Sequence, residues 1–256
     1  MISHPCFSCG AAIEGETIEA YGDAGFAHAR GEHPDEVAPF PDMAVHNYFE
    51  GQARMTGGSD RLDEIGDVEI HPVTEDRIDD WLDFFDHHAM VDVPQNSACY
   101  CLEPHELSPR VEPGPMRHWR ERREDALALV RGGTMFGYLA YVDGRPAAWV
   151  NASRRGDTTL FRRGDDVDAR TAAVACFAVA PPYRGHGLAG RLLARVVADA
   201  PGRGLDAVEA YPPRAGVPAG VNFRGGRAMY DAAGFAPVKE RSYDTVVRYP
   251  VRQVRS

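Results

Sequence analysis

The chain has 256 residues, 44% of them hydrophobic, and a formal net charge of −10 at pH 7. This length and apolar content suffice for one large or two smaller domains with buried cores. No apolar run reaches the eighteen or so residues that span a bilayer, and the first residues do not resemble a secretory signal, so we expect a cytoplasmic protein. Five cysteines, an odd number, favour reduced thiols or a metal site over a secreted disulfide framework.

The charge is distributed unevenly along the chain. Residues 1–106 hold 23 acidic and 4 basic side chains, whereas residues 107–256 hold 15 acidic and 24 basic ones. A net negative chain argues against broad nucleic-acid binding, which depends on basic patches. The acidic half either attracts a cationic substrate at long range or is simply a solvated acidic face, and the sequence leaves both interpretations open.

The first 66 residues are predicted to form a small N-terminal extension. Cys6-Phe7-Ser8-Cys9-Gly10 has the Cys-x-x-Cys-Gly form of a zinc knuckle, so Cys6 and Cys9 are candidate zinc ligands. The remaining ligands are either His28 and His33 or Cys99 and Cys101, and the alternative is a degenerate, metal-free remnant of a zinc ribbon. A helix is predicted over residues 42–54. The extension is either a lid that selects the acceptor or a packing or dimerisation appendage, so a homodimer stays open.

Residues 67–256 are predicted to form the second, larger domain. The first half of this domain is predicted to form a strand, two helices and a hairpin. The second helix ends at Gly132-Gly133, and Asp143-Gly144 is a strong signal for a two-residue hairpin turn. The predicted elements are a strand over 67–70, a helix capped by Thr74 that buries Ile78, Trp81, Leu82 and Phe85, a helix over 119–130, and strands over 134–142 and 145–152.

The most informative stretch is residues 173–190. An apolar run to Ala180 predicts a strand buried on both faces, and Pro181-Pro182 ends it. A helix follows Gly187, because apolar residues then recur at helical spacing. Gly185 and Gly187 carry no Cβ, so phosphates can approach the backbone, and the unpaired N–H groups of a helix start favour an anion. A further strand is predicted over 205–211.

Arg184-Gly185-His186-Gly187-Leu188-Ala189 resembles the acyl-coenzyme A signature Arg/Gln-x-x-Gly-x-Gly/Ala of the GNAT superfamily of N-acyltransferases. A second stretch, residues 228–235, is similar to the late helix of that family with its Tyr-x-x-x-Gly-Phe ending. The resemblance covers about residues 134–250, extends more loosely back to residue 67, and does not include the extension. It implies an α/β fold in which helices flank a mixed central sheet, closed by one last strand.

The resemblance also implies roles for individual residues. The backbone of Phe177 and Val179 would pair with the pantetheine arm, and residues 184–189 would hold the diphosphate. Tyr230 would protonate the leaving thiolate. Glu209, on the following strand, is a candidate base, although proton removal through water is the alternative. Cys176 invites a covalent acyl-cysteine scheme, but a thiol in an apolar strand more simply packs in the core.

These residues predict an acetyl-CoA-dependent N-acetyltransferase that acts by direct attack of a primary amine. The expected acceptor is a small molecule rather than a protein, and neither nucleic acid nor membrane is expected as a partner. Two alternative functions, which belong to other functional classes, stay open. One is a non-catalytic acyl-CoA sensor or interaction module, and the other is a metal-binding interaction protein dominated by its cysteines.

Overall fold

The computed structural model describes residues 1–106, 115–161, 170–214 and 223–251. Its centre is a seven-stranded mixed sheet in the order β3-β4-β5-β6-β7-β9-β8, beside a separate β1-β2 hairpin. The strands are β1 Ile2–Pro5, β2 Ala12–Gly15, β3 Val68–Pro72, β4 Gly137–Val142, β5 Arg145–Arg154, β6 Thr171–Val179, β7 Ala207–Ala210, β8 Ala236–Glu240 and β9 Thr245–Pro250. The α-helices are α1 Ile18–Glu32, α2 Pro34–Val37, α3 Asp42–Arg54, α4 Ile78–Asp83, α5 Glu103–Glu106, α6 Trp119–Arg131, α7 Leu188–Asp199 and α8 Arg227–Ala232. The predicted α/β fold with helices around a mixed sheet is confirmed.

The sheet lies between two apolar layers. Helix α7 covers one face with Leu188, Leu192, Leu193 and Val196, all of them buried. The other face is covered by α4, α6 and the chain between them, where Trp81 packs edge-on against Trp149 of β5 with ring centroids 5.9 Å apart. Strand β4 and the middle of β5 are buried on both sides, which explains the apolar runs over residues 138–142 and 147–150.

Several local predictions agree with the structure. The β4–β5 turn places Asp143 and Gly144 at φ values of 49° and 77°, the left-handed pair that an Asp-Gly hairpin requires. The helix predicted over residues 42–54 is α3, with the same bounds. The strand and helix of the glycine-rich stretch are β6 and α7.

Other predictions need correction. Thr74 does not cap a helix through its side chain, because its hydroxyl donates to the Asp76 carboxylate instead, and the predicted single helix is divided into a 3₁₀ turn, α4 and a π-helical turn at Phe84–His88. The single closing strand is a β8–β9 hairpin. Within the described ranges, no helix has both the length and the apolar character that crossing a membrane requires.

The extension has its own small core and is fixed to the sheet domain by α3. Helices α1 and α3 approach closely because Gly25 lies against the Phe49 ring, where a Cβ would be 2.3 Å away. On the other side of α3, Asn47 bridges the start of α6: its Nδ2 donates to the Arg117 carbonyl at 2.9 Å and its Oδ1 accepts from the Trp119 amide at 3.0 Å. Asn47 is buried, so this pairing anchors the extension firmly.

Candidate functional site

The central feature of the site is the point at which two parallel strands stop pairing. Strands β6 and β7 pair from Thr171↔Ala207 to Val174↔Ala210, after which β7 ends and β6 continues for five residues. Among the strands that the structure describes, β5 is the one that stays paired with β6 beyond that point. We call the space beside the second half of β6, on the side of β7, the gap.

The Phe177 amide points into this gap. It donates to the Phe223 carbonyl at 2.5 Å, whereas the Ala180 amide donates across to Ala147 of the β5 side. Because strand amides alternate in direction, the Val179 amide faces the same side as that of Phe177. An extended ligand that pairs with Phe177 therefore has to replace the Phe223 carbonyl.

An anion cradle follows directly at the end of β6. Gly185 and Gly187 have φ values of 83° and 77°, a left-handed conformation that side chains with a Cβ rarely adopt. Gly187 is the N-cap of the twelve-residue helix α7, so the first amides of that helix point out of the loop. A Cβ on Gly187 or Gly190 would meet no described atom within 4 Å, so the cradle is open above its backbone.

A segment of the extension crosses the cradle. The Leu62 amide donates to the Pro182 carbonyl at 2.9 Å, and the Leu62 carbonyl lies 2.9 Å from Nε2 of His186. These bonds bring Arg61 over the loop, where its guanidinium carbon is 2.9 Å from the position that a Cβ on Gly185 would take. Sequence reasoning missed Arg61, although it is the one basic residue among the acids of residues 60–69.

Arg184 has a different environment from the one that a phosphate ligand needs. Its Nε donates to the Val179 carbonyl at 2.9 Å, and its two terminal nitrogens pair with Asp92, one of them at 3.0 Å. The side chain thus ties the end of β6 to the loop before α5. Its charge is balanced by a carboxylate, and its amide donates to the Pro181 carbonyl at 3.3 Å.

Tyr230 lies at the inner end of the gap. It is fully buried, and its hydroxyl donates to the Arg224 carbonyl at 2.5 Å. The same hydroxyl is 3.2 Å from where a Cβ on Gly225 would be, and that position is 3.4 Å from the Phe177 ring. Burial, reinforced by Cys176, raises the pKa of Tyr230 well above its usual value, so the group is a neutral hydrogen-bond donor at physiological pH.

Glu209 is on β7 and is held in a buried ion-pair network. Its Oε1 accepts from Arg248 Nε at 2.9 Å, and its Oε2 accepts from Arg155 Nη1 at 3.2 Å and from the Tyr211 hydroxyl at 3.1 Å. Glu209 and Arg155 are both almost fully buried. Because both carboxylate oxygens already accept hydrogen bonds, a proton from a substrate would have to replace one of these donors.

A cavity of about 260 Å³ lies on the sheet face opposite α7. It is walled by Ala175 and Cys176 of β6, by Phe223 and Arg224 of the segment that faces the gap, and by Glu103 of α5. The wall residues from β6 and from the segment at Phe223 thus border both the cavity and the gap. A molecule in the cavity would lie close to whatever ligand occupied that gap.

Two of the cavity cysteines contact each other. A side-chain hydrogen bond with Cys101, together with burial, raises the pKa of Cys176, so this thiol is protonated at neutral pH. Cys101 has a φ of 60°, and its sulfur accepts from Asn151 Nδ2 at 3.6 Å. These contacts favour a Cys176 thiol that packs in the core, the simpler of the two interpretations, over a thiol that forms an acyl-cysteine.

Comparison with known proteins adds the family. The family model "Acetyltransferase (GNAT) family" matches residues 97–235, which is more than half of the chain. No curated protein matches the chain by sequence.

Solved structures with a similar fold include the ribosomal-protein-S18-alanine N-acetyltransferase from Escherichia coli (16% identity, TM-score 0.41, 73% of this chain and 96% of that one). An N-acetyltransferase from Staphylococcus aureus Mu50 has 14% identity and a TM-score of 0.45 over 73% of this chain and all of the other. The protein yncA from Salmonella typhimurium, solved with its cofactor acetyl-CoA, has 12% identity and a TM-score of 0.44 over 74% and 96% of the two chains.

The family match includes β6, the glycine-rich loop, α7 and the Tyr-x-x-x-Gly-Phe ending, and these are the elements that form the gap and the anion cradle. The chain belongs to the GNAT family and is an acetyltransferase.

Proposed function

We propose that this acetyltransferase moves the acetyl group of acetyl-CoA to a primary amine of a small molecule by direct attack. The observation that carries the proposal is the juxtaposition of three features along one line: the cradle at the start of α7, the gap between β6 and β7, and the cavity beside Cys176. A diphosphate, an extended pantetheine arm and an acceptor fit these three features in that order.

The cradle binds the diphosphate through backbone amides of residues 184–189, the signature of the family. Helix-start amides and the positive end of the helix dipole favour a phosphate without any cationic side chain. Arg61 adds a guanidinium above Gly185, and it matches phosphate geometry better than an ammonium would. His186 is held by the Leu62 carbonyl, so its contribution is through its backbone.

The pantetheine arm lies along the open side of β6. Its amide groups pair with the backbone of Phe177 and Val179 in place of the Phe223 carbonyl, as an added strand would. The acetyl carbonyl then lies near the inner end of the gap.

The chemical step needs a neutral amine and a proton for the leaving sulfur. The amine nitrogen bonds to the thioester carbon, the C–S bond then breaks, and the thiolate takes the proton of the Tyr230 hydroxyl. The raised pKa keeps the Tyr230 hydroxyl protonated before the reaction and also makes it a weaker acid, so the proposal needs the full negative charge on the sulfur to draw the proton away. The proton lost by the amine returns to solvent through water. Glu209 as the base stays a prediction, because it would first have to give up a guanidinium or tyrosine partner.

The cavity supports an acceptor of small size with a positive charge. Its volume of about 260 Å³ is slightly below the usual range for small-molecule pockets, which favours a small acceptor. Glu103 lies exposed on its wall and can attract an ammonium group before that group loses its proton. The excess of acidic side chains in residues 1–106 likewise attracts a cationic amine.

The test is an amine-panel assay that follows release of the CoA thiol from acetyl-CoA. We expect release that depends on at least one small primary amine, with a mass increase of one acetyl group on that amine. Acetyl-CoA binding without thiol release on any amine of the panel would contradict the proposal. A stable acetyl group on Cys176 during turnover would contradict direct attack.

A further inference from the structure

Four metal-ligating side chains of the extension converge on one point. The ligand atoms of Cys6, Cys9, His28 and His33 all lie within 4.8 Å of one another. We infer that these four residues bind one structural Zn²⁺. The inference rests on the extension alone and is independent of the proposed acetyl transfer.

The distances between the ligand atoms match a tetrahedral zinc ion. With Zn–S near 2.3 Å and Zn–N near 2.05 Å, adjacent sulfur and nitrogen corners of a tetrahedron are about 3.6 Å apart. Cys6 Sγ is 3.5 Å from His33 Nε2, and Cys9 Sγ is 3.4 Å from His28 Nε2. Thiol–imidazole hydrogen bonds would explain each pair alone. They would not explain why the two pairs face each other across a space the size of one ion.

The backbone around the two cysteines forms a chelating turn. The Cys6 amide donates to the Ala11 carbonyl at 2.7 Å, and the Gly10 amide donates back to the Cys6 carbonyl at 2.9 Å. Gly10 adopts a φ of 75°, which explains the glycine after the second cysteine.

The two histidines come from the end of α1. His28 lies just before its last turn and His33 is its C-cap residue. Both present Nε2 to the cysteines, which leaves Nδ1 for outer partners. His33 Nδ1 is 3.5 Å from Glu36 Oε1, and Ser8 Oγ donates to Oε2 of the same carboxylate at 2.5 Å. A carboxylate on the distal nitrogen is the usual outer partner of a zinc-bound histidine, because it fixes the tautomer and raises the basicity of the ring.

This arrangement decides between the two ligand sets that the sequence leaves open. Cys99 and Cys101 lie at the cavity beside Cys176, away from Cys6 and Cys9. The ligands thus come from a hairpin knuckle and a helix, whereas a zinc ribbon would use two knuckles. The spacing Cys-x₂-Cys and His-x₄-His is that of a closed Cys₂His₂ site, and two thiolates with two imidazoles in a tetrahedron select zinc.

The expected role of the ion is to fold the extension. The core of this unit comprises only six buried apolar residues, Cys6, Ile13, Tyr21, Ala29, Val45 and Phe49, one of which is itself a ligand. A core of this size is too small to stabilise a hairpin and three helices without a cross-link. Four protein ligands complete the coordination shell of zinc, so the ion takes no part in acetyl transfer.

The experiment uses the full-length chain. Metal analysis of the purified protein should find one zinc per chain, and exchange with Co²⁺ should give the intense visible bands of a tetrahedral cobalt–thiolate site. The double variant Cys9→Ser with His28→Ala should lose the zinc. Cys99→Ser and His46→Gln, which change the same residue types outside the cluster, should keep it.

The cobalt spectrum needs no variant, so the test survives a variant that fails to fold. Wild-type protein without stoichiometric zinc and without tetrahedral cobalt bands would overturn the inference. Zinc retained by the double variant, or lost equally from the two control variants, would overturn it as well.

Discussion

The extension and the sheet domain are stabilised in different ways. The sheet domain buries two large apolar layers, one of them built on Trp81 and Trp149 and the other on α7. The extension has a core of six residues, four helical glycines at positions 22, 25, 31 and 51, and a cluster of four metal-ligating side chains. The first therefore derives its order from burial of apolar area, and the second from a few specific bonds.

The two regions also contribute differently to function. The gap, the cavity and Tyr230 belong to the sheet domain, whereas the segment after α3 brings Arg61 and Leu62 onto the anion cradle. Changes in the sheet domain should therefore abolish a step of the reaction. Changes in the extension should adjust the binding of the cofactor and the stability of its own fold.

The largest expected effect is that of Tyr230→Phe. Removal of the hydroxyl takes the proton donor away from the thiolate, so kcat should fall about 10²-fold while the Kd for acetyl-CoA stays within a factor of about two. The measurement is steady-state thiol release with calorimetry for binding. Tyr249→Phe, on β9 beside Phe235, is the matched control and should keep its kcat. Unaltered turnover in Tyr230→Phe would reject the acid assignment.

The next effect is that of Gly187→Ala. A Cβ at a φ of 77° costs about 1–3 kcal/mol of strain and distorts the amides of the cradle, so the Kd for acetyl-CoA should rise about tenfold or more. Gly204→Ala is a matched control, since Gly204 has a φ of 69°, open space around it and a position beyond the other end of α7. Both variants should lose thermal stability, and only Gly187→Ala should lose affinity. Equal affinities would show that the cradle does not bind the diphosphate.

Arg61→Ala tests whether the extension takes part in cofactor binding. An exposed guanidinium beside a phosphate contributes about 1 kcal/mol, so the Kd for acetyl-CoA should rise about fivefold, and the difference should shrink at high salt. Arg77→Ala, which removes a partly exposed arginine that pairs with its neighbour Asp76, is the control. An unchanged Kd in Arg61→Ala at low salt would confine the cofactor site to the sheet domain.

The smallest effect is expected for Glu103→Gln. Loss of the carboxylate at the cavity should raise KM for a cationic amine about threefold and leave the Kd for acetyl-CoA unchanged, because a partly solvated charge attracts its partner weakly. Glu121→Gln, exposed on α6 and away from the cavity wall, should change neither value. If KM responds to neither substitution, the ammonium group binds elsewhere.

The sequence predicts the sheet domain better than the extension, for physical reasons. Apolar runs and an Asp-Gly turn indicate β4, β5 and β6, and apolar residues at helical spacing indicate α7. These patterns are local, so the sequence alone predicts the four elements. Helix α1 escapes prediction because its glycines and alanines leave little apolar periodicity, and its stability comes from close packing on α3. The β8–β9 hairpin is missed because all of β8 is exposed.

At the site, too, the sequence predicts local features and not contacts between distant residues. The cradle is predictable because Gly185 and Gly187 are only two positions apart in the sequence and their conformation is local. The position of Arg61 over Gly185 depends on hydrogen bonds between residues more than 120 apart, such as that of His186 with Leu62. The ion pairs of Glu209 with Arg155 and Arg248 likewise join separate strands and have no signal in the sequence.

The central claim is that the amides at residues 184–189 hold the diphosphate of acetyl-CoA. Calorimetric titration of the full-length protein with acetyl-CoA and with S-acetylpantetheine, which lacks the diphosphate, tests it most directly. We predict one acetyl-CoA per chain and binding of S-acetylpantetheine that is weaker by about 10²-fold or more. Equal affinity for the two compounds, or no heat with acetyl-CoA, would contradict the claim.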